Sequence, residues 1–378
     1  MMEPLSGVRV LAVEHYGAGP YGTQLLADLG ADVIKVENPA GGGDISRSIG
    51  PYHLGDGDSL FYQTFNRGKR SILLDLTAPD GRGRFERLVA DADAVANNLR
   101  GDQPEKLRIR YEDLAPVNPS IVCAHLSAYG RRNSRERWPG YDYLMQAECG
   151  FLDVTGEPGA PPARFGLSIV DYMTGALLAC GLLAAVLRAR ETGEGCDVDT
   201  ALYDTALHQL SYPAVWYLNE GHETRRMSRS SHPSIVPSQL FRTSDGWLFL
   251  MCQPPRFWEA FCGAVGREEL LEDPRFLDAP GRLAHRRALQ DEIDAILRRD
   301  TTEHWLAVLA GAVPVAPVHD IAGALSNPFA REVGMLNAVE HPAADAGLTM
   351  LSSPLRVNGR RGPNRRAPLL GEHDEELP

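Results

Sequence analysis

The sequence predicts an α/β protein, with an open parallel sheet covered by helices up to about residue 205 and a smaller α+β domain at residues 225–325. In the first half of the chain, short apolar runs alternate with helical segments, which is typical of a parallel sheet. The composition then changes at residues 225–237, which are rich in Arg, Ser and Pro. A hairpin signal and further helical segments follow this change. These observations divide the chain into two domains.

Strands and helices alternate regularly through the first block. The run Val-Arg-Val-Leu-Ala-Val at residues 8–13 predicts a strand, and residues 21–29 predict a helix that ends at Gly30. A second strand at residues 31–36 completes a β-α-β unit. The later predicted elements are a strand at 71–76, a helix at 80–91, strands at 94–98 and 121–126, and an apolar helix that begins beside Asp171 and leads into a loop at 191–195.

The second block has a different pattern. Two β-rich runs, residues 240–243 and 247–251, flank Ser244-Asp245-Gly246, and Asp-Gly between such runs predicts a hairpin. Helical segments are predicted around residues 256–265, 283–298 and 302–309. This pattern is typical of a small α+β domain.

The overall charge excludes one class of partner. The formal net charge is −12, whereas a nucleic-acid-binding protein needs a basic face. A locally basic pocket for an anionic small molecule remains compatible with this charge. The lysines are Lys35, Lys69 and Lys106, all in the first third of the chain, and their clustering is a hint of an anion site.

Cysteine usage and apolar segments predict a cytoplasmic protein without a membrane partner. Six cysteines are scattered without a Cys-x-x-Cys pair, as expected for buried reduced thiols and not for a zinc site. The N-terminus lacks a basic region followed by an apolar core, so no signal peptide is predicted. The longest apolar run, residues 172–187, is shorter than the ~18–20 residues of a membrane span and predicts a core helix.

Asp171 is the most informative residue. Its carboxylate is set into an apolar stretch, residues 168–187. The first basic residue after Asp171 is Arg188, which follows this stretch. A lone charge in an apolar site is costly, so folding alone would favour Ala or Leu there. One interpretation is a helix N-cap, and the other is a catalytic nucleophile. The two are compatible, because a helix N-terminus keeps a carboxylate ionised.

A glycine motif offers a competing prediction. Gly17-Ala18-Gly19-Pro20-Tyr21-Gly22 matches the dinucleotide fingerprint, and Glu37 lies 20 residues after Gly17. However, three residues separate the strand from Gly17, and Pro20 removes an amide that should face a pyrophosphate. The motif therefore predicts an NAD-dependent oxidoreductase, a tight strand-to-helix turn, or a backbone approach to another nucleotide-bearing ligand.

Segments along nearly the whole chain resemble the class III coenzyme A transferases in order and spacing. Two features depart from the family pattern: Leu99 and Gly101 differ in an Asn-Phe-Arg-Pro-Gly stretch, and Asn38 stands where related sequences often carry Arg. The matching segments are Gly17-Ala18-Gly19-Pro20, residues 29–37, residues 66–76, Asn98-Leu99-Arg100 followed by Lys106, residues 146–150, Thr155-Gly156, the Asp171 segment, and residues 192–195 and 368–373.

The resemblance implies an architecture. It implies a large, Rossmann-like, doubly wound CoA-binding domain formed by residues 1–205 and 330–378. A linker at 206–224 and the small domain at 225–325 complete the subunit. Two such ring-like subunits would interlock in a homodimer.

The resemblance also implies a mechanism on Asp171. An aspartate at this position attacks the donor thioester to give a mixed anhydride, which CoA thiolate converts into an aspartyl-CoA thioester. The acceptor acid then attacks, and the steps run backwards to a new acyl-CoA. The substrates would be an acyl-CoA thioester and a small organic acid, with no tightly bound cofactor and no metal. By the same match, CoA contacts fall on Tyr16, Gly17, Ala18, Leu74, Asp75, Asn98, Leu99, Arg100, Lys106, Tyr141 and Asp142.

The nearest rival is an α-methylacyl-CoA racemase, which the chain also resembles. Those enzymes carry His before Asp in a Gly-His-Asp triplet, whereas this chain has Gly140-Tyr141-Asp142. Tyrosine, with a pKa of about 10, is a poor base at neutral pH. His125 lies in an apolar strand and is interpreted as a core histidine. A non-catalytic CoA-binding protein is a further alternative.

The identity of the two acids is the least determined part. In the formate/oxalate branch a glycine-rich loop closes over the intermediate, but this chain has no glycine between Gly221 and Gly246. Formate/oxalate exchange is therefore disfavoured. Arg225, Arg226 and Arg229 are candidates to pair with the second carboxylate of a dicarboxylic acid, or they form a basic surface loop. The working hypothesis is a small organic acid as acceptor, with the dicarboxylic acids among the candidates, and a donor such as succinyl-CoA.

Overall fold

The structure, a computed structural model, describes residues 3–377. It contains two compact units. The first lies within Met1–Cys149, Phe165–Ser211 and Pro328–Pro378, and the second comprises Gly150–Arg164 and Tyr212–Asn327.

Strands and α-helices are numbered along the chain. The strands in residues 3–377 are β1 (Arg9–Val13), β2 (Asp32–Glu37), β3 (Arg70–Leu73), β4 (Ala94–Asn97), β5 (Val122–Ser127), β6 (Cys196–Ala201), β7 (Ser238–Arg242), β8 (Trp247–Met251), β9 (Val315–Pro317), β10 (Leu336–His341) and β11 (Ala344–Leu351). The helices are α1 (Ala18–Asp28), α2 (Leu60–Asn66), α3 (Pro79–Ala90), α4 (Gln103–Lys106), α5 (Tyr111–Leu114), α6 (Asp142–Glu148), α7 (Phe151–Val154), α8 (Ile169–Thr192), α9 (Leu202–Gln209), α10 (Ser211–Glu220), α11 (Pro255–Ala264), α12 (Ala279–Ala284), α13 (Arg286–Leu297), α14 (Thr302–Leu309), α15 (Ile321–Ser326) and α16 (Pro328–Glu332).

The first unit is built on a six-stranded sheet in the order β3-β2-β1-β4-β5-β6, with every neighbouring pair parallel. The predicted α/β fold with a parallel sheet is confirmed. Strands β1, β2, β4 and β5 are buried almost throughout, which explains why most of their residues are apolar. The chain order reverses on either side of β1, as in doubly wound folds, and this creates a crevice at the carboxyl ends of the strands.

Helices cover the two faces of this sheet. Phe85, Leu88 and Val89 of α3 pack with Leu11, Ile34 and other side chains of one face in a single apolar cluster. Helix α8 contacts α1 and the strands β4, β5 and β6. By length and composition, α8 is the one helix within residues 3–377 that could cross a membrane, and 44% of its most apolar window is buried inside the protein.

The second unit has its own sheet and core. Strands β7, β8 and β9 form an antiparallel sheet, and the predicted hairpin at Asp245-Gly246 joins β7 to β8. Asp245 also accepts a hydrogen bond from the Thr302 amide at the start of α14. The apolar core gathers side chains of β7, β8, α11, α13 and α14, among them Phe241, Trp258 and Ile293.

Several elements differ from the sequence-based expectations. Strand β6 at the sheet edge and the β10–β11 hairpin were not predicted. Most of the expected linker, residues 206–224, is helical in α9 and α10. The expectation that all cysteines are buried is wrong for Cys180 and Cys196, which are exposed. Helix α1 begins at Ala18, earlier than predicted, because proline is tolerated in a first helical turn and Pro20 lies there.

Candidate active site

The candidate site lies in the crevice at the carboxyl ends of the strands. The loops after β1, β4 and β5 surround a cavity of about 430 Å³. Sheets of this type bind ligands at such a reversal of strand order. The cavity brings together eight of the predicted site residues: Tyr16, Gly17, Ala18, Asn98, Leu99, Arg100, Tyr141 and Asp171.

Asp171 lies in the first turn of α8. The N-cap of this helix is Ser168, so the interpretation of Asp171 as the N-cap is wrong: Asp171 is the third helical residue. It is 8% exposed, and a Cβ placed on Gly17 would lie 3.5 Å from its Oδ2. Its backbone N–H donates to Oδ2 of Asp142 at 3.0 Å. The carboxyl group is therefore held at the cavity wall, against the backbone of the loop before α1.

The protonation of Asp171 differs from the sequence-based expectation. Burial raises the pKa of Asp171 to about 7, and the neighbouring charge of Asp142 adds to this effect. A rise of this size corresponds to about 4 kcal/mol at ~1.4 kcal/mol per pKa unit. A helix N-terminus typically favours the ionised form by only about 0.3–1 kcal/mol. Burial and the second carboxylate therefore outweigh the helix dipole, and the carboxyl group titrates near neutral pH.

Two glycines set the distance between Asp171 and the loop before α1. A Cβ on Gly22 would lie 2.3 Å from the Gly175 carbonyl oxygen, and a Cβ on Gly175 would lie 2.3 Å from the Ala18 carbonyl oxygen. Helices α1 and α8 therefore touch backbone to backbone. Gly175 is one helical turn after Asp171, so this contact places the Asp171 carboxyl group beside Gly17.

The glycines of the motif thus allow close packing of α1, and Glu37, the acidic residue that would complete a dinucleotide site, is bonded within the protein. The buried carboxylate of Glu37 accepts hydrogen bonds from Arg47 at 2.6 and 2.8 Å and from the Ser71 hydroxyl at 2.6 Å. A Cβ on Gly19 would lie 2.7 Å from the Asn98 Cβ. Both oxygens of the Glu37 carboxylate are therefore already bonded within the protein, which leaves the dinucleotide interpretation without the free acidic residue that it requires.

Asn98 fixes the loop after β1 in place. Its Oδ1 accepts the His15 N–H at 2.9 Å, and its Nδ2 donates to the His15 carbonyl at 2.7 Å. Sequence reasoning did not identify His15, which lines the same cavity. Desolvation by the surrounding protein lowers the pKa of His15. Its position two residues after the end of β1 was the available signal, because residues there reach the crevice.

A second recess of about 180 Å³ lies at the carboxyl ends of β1, β2 and β3. Among the predicted residues, Leu74, Asp75 and Leu99 line it, as does Asn38. His15 and Leu99 line both this recess and the larger cavity, so the two adjoin. The arrangement suits an elongated ligand with two chemically distinct ends.

Arg100 and Lys106 share one carboxylate. Both donate to Asp102 at 2.5 Å, and these hydrogen bonds hold the pKa of Asp102 well below its usual range. The two cations are 41% and 56% exposed, so they can reach a ligand phosphate while they remain paired. Lys106 lies outside the lining of both recesses, and Asp142 is buried beside the Asp171 backbone.

The structure also shows the contacts of His125 and Arg226, two residues that the sequence analysis considered. His125 is a buried strand residue with its ring nitrogens bonded to Asn97 and Asp197, which confirms its interpretation as a core histidine. In the second unit, Arg226 donates to the carbonyls of Ala160 and Pro161.

Arg225 and Arg229, which lie near Arg226 in the sequence, also form ion pairs within the protein. Arg225 pairs with Glu223, and Arg229 pairs with Asp294. These contacts are those of an anchored loop and provide no support for recognition of a substrate carboxylate.

Comparisons with known proteins extend over almost the entire chain. A family model described as CoA-transferase family III matches residues 5–374. A succinyl-CoA:mesaconate CoA-transferase of Haloarcula hispanica is 37% identical over 385 residues, which cover 100% of this chain and 96% of the relative. An acetyl-CoA:oxalate CoA-transferase of Acetobacter aceti is 34% identical over 378 residues, with 99% and 95% covered. The crystal structure of a CAIB/BAIF family protein from Brucella suis is 32% identical, with a TM-score of 0.84 and coverage of 99% and 98%. The similarity therefore includes both units.

Proposed function

The chain belongs to CoA-transferase family III and is a class III CoA-transferase, and from this premise we propose that it transfers CoA to a small dicarboxylic acid through a covalent intermediate on Asp171. The observation that carries the proposal is the buried Asp171 carboxyl group at the wall of the strand-end cavity, beside Gly17. A partly dry, fixed carboxylate is a usable nucleophile toward a thioester.

The two adjoining recesses support a binding mode for CoA. We place the thioester end in the larger cavity with Asp171 and the adenosine end beside Leu74 and Asp75. The phosphates would then pass Arg100 and Lys106, whose charges favour anions. Asn38 lines the adenosine recess, where its amide offers hydrogen bonds in place of a guanidinium.

The proposed steps conserve the thioester energy. The ionised Asp171 attacks the donor carbonyl carbon, the C–S bond breaks, and CoA leaves as a thiolate from a mixed anhydride. The thiolate attacks the Asp171 carbonyl carbon, and the donor acid leaves as a carboxylate with an aspartyl-CoA thioester remaining. The acceptor carboxylate attacks the carbonyl carbon of this thioester, the C–S bond breaks, and CoA thiolate leaves from a second mixed anhydride. The thiolate then attacks the acceptor carbonyl carbon, and Asp171 leaves as a carboxylate with the new acyl-CoA formed. Each step exchanges one acyl bond without oxidation or water.

The pKa of Asp171 predicts a pH dependence. A carboxylate nucleophile is active above its pKa, so kcat/KM should rise with pH through about 7 and fall about tenfold per pH unit below it. Asp142→Asn removes the neighbouring charge that raises this pKa and should shift the acidic limb to lower pH. Comparing the two profiles cancels titration of the substrate. Identical profiles for both proteins would contradict the assignment.

The phosphate contacts predict a change in substrate affinity. Arg100→Ala and Lys106→Ala should each raise the KM for acyl-CoA about tenfold or more, because a charge-assisted hydrogen bond contributes about 1.5–3 kcal/mol. The effect should weaken as salt concentration rises. Steady-state kinetics at two ionic strengths provide the measurement, with exposed Arg87→Ala of α3 as the control. An unchanged KM in both variants would remove these residues from the CoA site.

The acceptor is proposed from chemistry and similarity together. Mesaconate and oxalate, named for the two relatives, are both dicarboxylates. Their named donors differ, being succinyl-CoA and acetyl-CoA, and we propose succinyl-CoA first because that relative is the more similar of the two. Incubation with each donor and a panel of mono- and dicarboxylic acids tests this, with new acyl-CoA detected by mass. Activity confined to monocarboxylates would exclude the dicarboxylate.

An interlocked homodimer in the cytoplasm completes the proposal. Exposed apolar side chains on two helices suit coverage by a second copy: Leu177 and Leu187 on α8, and Tyr217 and Leu218 on α10. Light scattering coupled to size exclusion should give twice the 41.3 kDa chain mass.

The alternatives are tested with the same protein. A racemase would exchange the α-hydrogen of an α-methyl acyl-CoA in deuterated water, and His15, which lines the cavity, would be the base to examine. An oxidoreductase would bind NAD(H). A non-catalytic CoA-binding protein would bind CoA without forming an adduct. CoA transfer without exchange or NAD(H) binding is the outcome that supports the proposal.

A further inference from the structure

Six charged side chains are buried together behind the loop that carries Tyr16 and Gly17. They form three ion pairs and are each at most 5% exposed. The acids and bases are equal in number, so the group is neutral overall. The pairs are Glu14–Lys69 at 2.7 Å, Asp44–Lys35 at 2.7 Å and Glu37–Arg47 at 2.6 Å.

This cluster is not explained by stability. Buried ion pairs are frequently no more stable than apolar groups of the same size, because two charges lose their hydration. The cluster also includes Lys35 and Lys69, which the sequence marked as a hint of an anion site. Both are enclosed by protein acids and carbonyls, so neither is presented to a ligand. We therefore looked for the role of the cluster in the backbone segments that its side chains contact.

Asp44 connects the cluster to the loop that carries Tyr16 and Gly17. Its Oδ1 accepts the Tyr16 N–H at 3.0 Å, and its Oδ2 lies 2.7 Å from the Lys35 ammonium. Its own N–H donates to Glu37 at 2.8 Å. Asp44 is thus held from two further sides, and it can fix the position of the Tyr16 amide.

Tyr16 needs such a support. Its φ is 70°, in the left-handed region that a residue with a Cβ adopts only when the surroundings impose it. The next residue, Gly17, is the one whose backbone lies against the Asp171 carboxyl group. The strained residue therefore sits directly between the buried cluster and the proposed nucleophile.

We propose that Asp44, anchored by Lys35, is a positioning residue that imposes the left-handed backbone of Tyr16 and thereby sets Gly17 and Ala18 against Asp171. The inference rests on the proposed function for its catalytic consequence. Asp44 acts through the loop and not by contact with the reacting atoms. Asp44 also caps the short turn at Ile45–Ser48 through the Ser46 amide, and a purely structural cap would affect stability alone.

The test is a double-mutant cycle between Asp44→Asn and Tyr16→Gly. Glycine adopts a positive φ without a Cβ penalty, so the loop no longer needs the support of Asp44. In the wild-type background, Asp44→Asn should lower kcat about 10²-fold, since displacements of about 1 Å have effects of this size. It should also weaken CoA binding about tenfold or more by calorimetry. In the Tyr16→Gly background, the same substitution should change either quantity less than about threefold.

Asp28→Asn is the matched control. Asp28 forms a largely buried ion pair with Arg67 at 2.6 Å, and neither residue lines the larger cavity. It should lower thermal stability and leave kcat and CoA affinity within about threefold. If Asp44→Asn does not fold, Asp44→Glu keeps the charge, moves the carboxylate by one methylene, and should show the same loss and the same cancellation.

The outcomes separate the two proposals. Equal losses from Asp44→Asn in both Tyr16 backgrounds, or an Asp44→Asn protein with the kinetics of Asp28→Asn, would overturn the positioning role. A wild-type protein that transfers no CoA and forms no adduct would overturn the proposed function. In that case the CoA-binding arm of the cycle still decides whether Asp44 positions the loop.

Discussion

Asp171→Asn is expected to lower CoA transfer by at least about 10⁴-fold, the scale seen when an enzyme loses its nucleophile. The amide has nearly the same shape and keeps the place of Asp171 in the first turn of α8. It cannot attack a thioester as a carboxylate does, so neither the anhydride nor the aspartyl-CoA thioester forms. Folding should be unaffected or slightly more favourable, because the buried charge and its repulsion with Asp142 disappear.

Mass spectrometry gives the direct measurement. The wild-type protein incubated with an acyl-CoA should carry a CoA-sized adduct on the peptide that contains Asp171, and the Asp171→Asn protein should carry none. Asp80→Asn is the control, because Asp80 also lies in the first turn of a helix but is exposed. Undiminished transfer by Asp171→Asn, with no adduct in either protein, would refute the covalent mechanism.

Gly175→Ala is expected to have the second largest effect. The new Cβ would lie 2.3 Å from the Ala18 carbonyl oxygen and 3.0 Å from the Gly22 nitrogen, both backbone atoms that cannot rotate away. Helices α1 and α8 must separate to admit it. Overpacking of this kind costs about 1–3 kcal/mol of unfolding free energy. The same displacement separates Asp171 from Gly17 and should lower kcat about 10²-fold.

Denaturant unfolding and steady-state kinetics measure the two consequences. The control is Gly263→Ala in α11, where an added Cβ meets nothing within 4 Å. That substitution should leave kcat unchanged and raise or preserve stability, because alanine favours a helix by up to about 1 kcal/mol over glycine. A Gly175→Ala protein with wild-type stability and kcat would show that the helix contact does not set the site.

The fold class was predictable because most elements bury their own apolar side chains. Strands β1, β2, β4 and β5 are buried almost throughout, so each is rich in apolar residues, although β2 also buries Lys35 and Glu37 and β5 buries His125. Strand β6 was missed because it is an edge strand with the sequence Cys-Asp-Val-Asp-Thr-Ala. Its two aspartates form hydrogen bonds and ion pairs with side chains of other segments. Asp197 accepts from His125, and Asp199 pairs with Arg131. These partners are distant in the chain, so no local pattern marks the strand.

The sequence selected eight residues that the structure brings together in one cavity, but it did not indicate the electrostatics of that cavity. The odd placement of Asp171 in an apolar segment identified it as a candidate nucleophile. Its pKa depends first on burial within the folded unit and then on Asp142, which is 29 residues away. The left-handed Tyr16 and its support by Asp44 were also invisible, since a φ of 70° is not encoded by the identity of a tyrosine.

The sequence by itself determined the α/β class with its parallel sheet, the hairpin of the second block, the family resemblance and the choice of Asp171. These properties follow from the spacing of apolar side chains and from motifs in chain order, which are local or sequential. Only the tertiary structure decided that Asp171 titrates near pH 7, that Glu37 is occupied by Arg47, and that Gly22 and Gly175 set the separation of two helices. Those properties arise from contacts and burial between distant segments, which exist only after the chain has folded.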